Sequence, residues 1–155
     1  MNLLSLSGNL LLTSFILYLI STGFFAVATS GKKGPSRSGK IAFSLAIVGF
    51  AAQLGYFFTR WAGAGHVPVS NLYEYTTFFG MMMVLGFLIV YGIYRNNVLG
   101  LVAMPVALLV IAYASMFPDE VQPLIPALQS VWLKIHVTTA ALGEGILAVS
   151  FATGL

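Results

Sequence analysis

The chain contains no cysteine and has little charge of either sign. Without cysteine there can be no disulfide, no thiolate metal site, no Cys nucleophile and no C-x-x-C redox carrier. Only seven of its 155 residues are Lys or Arg and four are Asp or Glu, so charged residues make up 7%. Soluble domains carry about a quarter. A supply this small cannot coat a globule with water-compatible surface. The net charge of +3 is not gathered into a basic face of the kind that holds nucleic acid, and no nucleic-acid partner is expected. There is no internal repeat and no low-complexity tail.

What is present is apolar, at 59% of residues. A bilayer core about 30 Å thick takes roughly 20 helical residues to cross. Runs of suitable length cover residues 10–29, 41–59, 72–94, 98–116 and 131–155. They are apolar on every side, whereas strands of a membrane barrel alternate polar and apolar positions. The expected fold is all-α: a polytopic membrane helix bundle of about five transmembrane helices. The first run lacks the basic n-region and short apolar core of a signal peptide and reads as a retained helix. Pro118, Pro123 and Pro126 exclude a spanning helix over 117–130 and leave room only for a short interfacial one. Pro105 should kink or break the fourth helix. The run Met81-Met82-Met83 reads as helix packing.

Lys32, Lys33, Arg37 and Lys40 fall within ten residues. Short cytoplasmic loops are enriched in Lys and Arg, which places this stretch inside. The N-terminus is then outside, residues 60–71 outside, Arg95 inside and residues 117–134 outside. Trp61 and Trp132 both land at the outer interface, where indoles prefer to sit. The lipid bilayer is the first partner, and the 31–40 stretch can also attract anionic headgroups.

Five polar residues stand at special depths. His66 lies in a Gly/Pro loop, and His136 lies about one turn into the fifth helix. A neutral imidazole at a membrane boundary can ligate a metal or haem iron, or simply hydrogen-bond a loop. Glu144 sits about 12 Å deeper than His136 and about 80° around the helix from it. Its flanking Gly143 and Gly145 allow close approach of another helix. It reads either as a proton-transfer or cofactor-contacting acid, or as a protonated carboxyl bonded to a neighbouring helix. Asn71 and Glu74 form a capping-box-like pair at the start of the third helix, with a binding role for Glu74 as the other reading.

Two stretches carry a resemblance. Residues 65–74 read GHVPVSNLYE and residues 126–137 read PALQSVWLKIHV. Their order and spacing resemble the CcsA/ResC-type cytochrome c biogenesis proteins of the haem-handling family, with typical patterns G-H-x-P-x-S-N-L-Y-E and P-A-L-Q-S-x-W-L-x-x-H-V. The likeness covers residues 60–155, and the first two helices fit only in type.

The resemblance implies delivery of haem b to the outer membrane face and its covalent attachment to the C-x-x-C-H motif of apocytochrome c. It further implies a partner of the ResB/Ccs1 type, in a bacterial plasma membrane or a thylakoid membrane. His136 is similar to the family's first outer-face histidine, an axial ligand to haem iron. His66, Trp132, Asn71 and Glu74 are further cofactor-binding candidates. The family's tryptophan-rich segment and later histidines are absent, and Leu155 falls inside an apolar helix. The chain therefore reads as the N-terminal part of a single membrane-embedded cytochrome c assembly domain, inactive in haem attachment alone. No separate catalytic nucleophile is suggested. The rival reading is a transporter or channel subunit with a polar pathway around Glu144.

Overall fold

The computed structural model describes residues 2–30, 36–123 and 126–154. Five helices in it are long and apolar enough to cross a membrane. They are α1 (Leu3–Ser30), α2 (Arg37–Ala64), α3 (Leu72–Tyr94), α4 (Asn97–Ala114) and α5 (Val131–Gly154). A single 3₁₀ turn, Pro126–Gln129, precedes α5, and no strand occurs among the described residues. This is an integral membrane protein of the all-α class.

The helices alternate in direction. Gly63 near the end of α2 lies against Leu3 and Leu4 at the start of α1, and Gly49 lies against Tyr18. Residues 2–3, the α2–α3 connection and the α4–α5 segment therefore gather at one end, called here the loop end. Ser36, Lys40 and Arg95 mark the other, the basic end. The alternation matches the order expected from the cations. Lys32 and Lys33, which helped to define it, lie outside the described residues.

Helix α3 is the hub, with 61% of its central span buried against 22–44% for the other four. Met81, Met82 and Met83 are all buried although consecutive, which requires neighbours around more than half of α3. α1 packs chiefly on α2, while α3 takes α4 on one side and α5 on another. A line of polar contacts crosses the apolar interior. Tyr18 donates to Gln53 Oε1 at 2.8 Å, Gln53 Nε2 donates to the Thr77 carbonyl at 3.3 Å, and Tyr56 and Thr77 share a hydroxyl contact at 3.0 Å. Polar groups sealed from water and lipid persist when paired in this way.

Helix limits depart from the hydropathy runs where local chemistry intervenes. α1 begins at Leu3 because Asn2 caps it, its Oδ1 accepting from the Leu4 N–H at 3.3 Å. α2 starts at Arg37 because Ser36 is a true N-cap, accepting from the Gly39 N–H at 3.0 Å. Arg60 and Trp61 fall inside α2, which ends at Ala64 and is capped by Gly65 in the left-handed region (φ 73°) that glycine adopts without cost. Pro105 lies within α4 and does not end it. The 3₁₀ turn is the short element the Pro-rich segment allows.

Candidate functional site

Residues 65–74 form a tightly tied corner at the loop end. The Val67 carbonyl accepts from the Val69 N–H at 2.9 Å and lies 3.1 Å from His66 Nδ1. A carbonyl can only accept, so Nδ1 is the donor, and in the neutral form of the ring the lone pair lies on Nε2. That Nε2 is enclosed and has no partner among the described residues. Pro68 is buried beneath the corner.

Asn71 then caps α3, its Oδ1 accepting from the Glu74 N–H at 2.8 Å. The reciprocal half of the expected capping box is displaced by one residue. Glu74 Oε2 accepts from the Ser70 N–H at 2.9 Å and the Ser70 hydroxyl at 2.7 Å. Asn71→Ala should cost about 1 kcal/mol, read as a lower unfolding midpoint in mixed micelles. An unchanged midpoint would mean that Ser70 and Glu74 hold the corner without the cap.

The other oxygen of Glu74 ties this corner to α2. Oε1 accepts from Arg60 Nε at 2.9 Å, with side-chain exposure of 4% for Arg60 and 0% for Glu74. Arg60 Nη2 donates to the Asp119 carbonyl at 2.7 Å, and its guanidinium lies 4.9 Å from the centre of the Tyr73 ring. One arginine thus joins α2, α3 and the segment leading to α5. The sequence placed Arg60 at the start of the outer 60–71 stretch and gave it no role. The available signal was an opposite-charge pair, Arg60 and Glu74, at equal depth on either side of a short loop.

α5 presents two faces. Ala141, Gly145, Val149 and Ala152 are buried. A Cβ on Gly145 would stand 2.9 Å from the Met82 backbone carbon and 3.0 Å from its oxygen, so this glycine permits the α3–α5 crossing. Gly143, its expected companion, has nothing within 4 Å of such a Cβ. His136 precedes Gly145 by nine residues, which is about 180° around the helix. It is exposed, and its ring has no hydrogen bond among the described residues. Trp132, one turn earlier on the same side, is 80% exposed. Glu144 is also on the exposed side, and its Oε2 accepts from the Tyr75 hydroxyl at 2.7 Å.

The structure therefore brings Asn71 and Glu74 together with Arg60 and keeps His136 and Trp132 on a separate open face. His66 belongs to the corner, with its free nitrogen turned inward. An axial ligand needs an accessible ring nitrogen, and His136 meets that requirement as it stands. Among the described residues no three His, Asp or Glu side chains cluster as a metal site.

Comparison with known proteins bears out the resemblance read from the two motifs. The chain is 33% identical over 161 aligned positions to a cytochrome c biogenesis protein CcsA of Gloeothece citriformis, covering 100% of this chain and 48% of that protein. It is 36% identical to the CcsA protein of Trieres chinensis, covering 92% and 46%. It is 38% identical to that of Prochlorococcus marinus strain NATL2A, covering 80% and 39%. The chain thus spans about half the length of the curated relatives it matches or less. No protein-family model and no solved structure matches it.

Proposed function

This chain is similar, along most of its own length, to about half of the CcsA cytochrome c biogenesis proteins, and from that kinship we propose that it presents haem for covalent attachment to apocytochrome c. The observation that carries the reading is the open face of α5, where His136 offers an unencumbered imidazole beside an exposed Trp132. His136 would hold haem iron through one ring nitrogen, and Trp132 would offer an apolar plane against the macrocycle. When bound, the haem supplies the vinyl carbons and the iron electronics for thioether formation. The chain's own part is orientation: α3 fixes α5 through the Gly145 crossing, which sets where His136 stands. The Arg60 tie holds the segment that feeds into α5. A second iron ligand would come from outside this chain.

The finer assignments rest on the same kinship. The haem is of the b type before attachment, and the partner is a membrane protein of the ResB/Ccs1 type. The membrane is a bacterial plasma membrane or a thylakoid membrane, with the loop end outside, as the Lys/Arg distribution favours. The chain would form the N-terminal part of one assembly domain. A transporter pathway around Glu144 is not favoured, since that carboxylate takes its hydrogen bond from Tyr75 and the relatives are named for cytochrome c biogenesis.

The test is a visible absorption spectrum of the native protein, purified in detergent from haem-replete cells, beside its His136→Ala variant. The parent should show a Soret band with sharp low-spin α and β bands. The variant should lose or shift them, and added imidazole should restore part of the signal. A spectrum indifferent to the substitution would remove His136 from the iron.

A further inference from the structure

At the basic end, remote from the α5 face, a pocket of about 270 Å³ is lined by Ser36, Lys40, Tyr91 and Arg95. Its size is just below that of ordinary small-molecule sites. The two cations come from different helices, Lys40 from the first turn of α2 and Arg95 from the cap of α3. Among the described residues neither has a counter-ion. The chain has only four acids: Glu74, Asp119, Glu120 and Glu144. The first is consumed by Arg60, and no ion pair among the described residues involves Lys40 or Arg95. Glu74 and Arg95 are separated by nearly the whole of α3, roughly 30 Å along the helix axis.

Local structure places Arg95, Tyr91 and Ser36 around the pocket. Arg95 occupies the left-handed cap position (φ 52°) where glycine or asparagine is usual. Its guanidinium lies 5.2 Å from the centre of the Phe43 ring, which keeps it on the α2 side. Tyr91 is fixed behind it by a 2.7 Å hydrogen bond to Asn97 Oδ1. Ser36 Oγ already accepts from the Gly39 N–H and, at 3.5 Å, from Asn97 Nδ2, so its own O–H is left to donate. Two cations from different helices, a hydroxyl donor and no acid among the lining residues describe a receptor for a compact oxyanion.

We propose that this pocket binds the phosphate of an anionic lipid headgroup. The helix ends that line it stand at the membrane boundary, where such a phosphate is the abundant anion. The assignment is independent of haem and of the α5 face, and it holds for whichever leaflet the basic end meets.

The experiment compares phosphatidylglycerol with phosphatidylcholine retained by the protein in mixed micelles, by native mass spectrometry. The parent should retain phosphatidylglycerol preferentially. Lys40→Gln with Arg95→Gln should weaken that retention roughly 30-fold, about fivefold per charge. Lys32→Gln with Lys33→Gln removes the same charge from the neighbouring sequence and should have a clearly smaller effect. Equal losses in the two double variants would show that net charge alone governs binding and would overturn the site, as would a parent without lipid preference. Inorganic phosphate is the third probe. If it displaces phosphatidylglycerol at millimolar concentration and needs the same two residues, the ligand is free phosphate and the headgroup assignment fails.

Discussion

Glu74→Ala should destabilise the protein by about 3–5 kcal/mol, the range found when one partner of a buried ion pair is removed. The arginine left behind is 4% exposed and loses the carboxylate paired with it, while the Ser70 N–H and hydroxyl lose their acceptor. Burying an unpaired guanidinium dominates, because the pair itself adds little beyond repaying its own desolvation. The expected readout is a much lower denaturant midpoint in mixed micelles. The double variant Arg60→Met with Glu74→Leu separates the contributions. With no charge left to bury it should recover most of the loss, and what it fails to recover belongs to Ser70 and to the Asp119 carbonyl. A single variant within about 1 kcal/mol of the parent would mean that water reaches Arg60 and that the corner is not sealed.

The second large effect is expected at Gly145. Its notional Cβ meets Met82 backbone atoms at 2.9 and 3.0 Å, and backbone cannot move aside as a flexible side-chain tip can. Gly145→Val should therefore push α5 from α3 and cost roughly 1–3 kcal/mol. The displacement would also carry His136, so if His136 holds haem as proposed, haem absorbance should fall although that residue is unchanged. Gly143→Val is the matched control, since nothing lies within 4 Å of that position, and it should fall within about 0.5 kcal/mol of the parent. Similar behaviour of the two variants would place the α3–α5 crossing elsewhere.

Most of the bundle was legible in the sequence, because a bilayer makes hydropathy nearly sufficient. Residues 72–94 were delimited correctly at both ends, since Asn71 and Arg95 are capping positions flanking an unbroken apolar run. The ends of α1 and α2 were drawn too short. Ser5, Ser7, Gly8 and Asn9 depress hydropathy without breaking a helix, and a charge such as Arg60 looks like a boundary until its partner is seen. At the candidate site, His136 could be read by resemblance and Asn71 by capping chemistry. Arg60 joined to Asp119, and Tyr75 to Glu144, could not, because those pairs are 59 and 69 residues apart. Nothing in a single sequence registers distant helices against each other. The same holds for His66, whose inward-facing nitrogen follows from a hydrogen bond to its neighbour's carbonyl.

The arginine joint also implies an order of assembly. Glu74 follows Arg60 by 14 residues, so the ion pair can close as soon as α3 enters the bilayer beside α2. The Asp119 carbonyl is synthesised 45 residues after Glu74 (119 − 74), once α4 has been made. Until then one arm of the guanidinium has no protein acceptor in the finished arrangement. The α1–α3 portion is thus expected to be charge-neutralised early yet still searching for its last hydrogen bond, and the arrival of residues 117–119 latches the loop end before α5 is threaded. Cross-linking of nascent chains halted after α3, and again after Asp119, would find the Arg60–Glu74 neighbourhood formed at the first stop. A contact that formed only at the second would reverse that order.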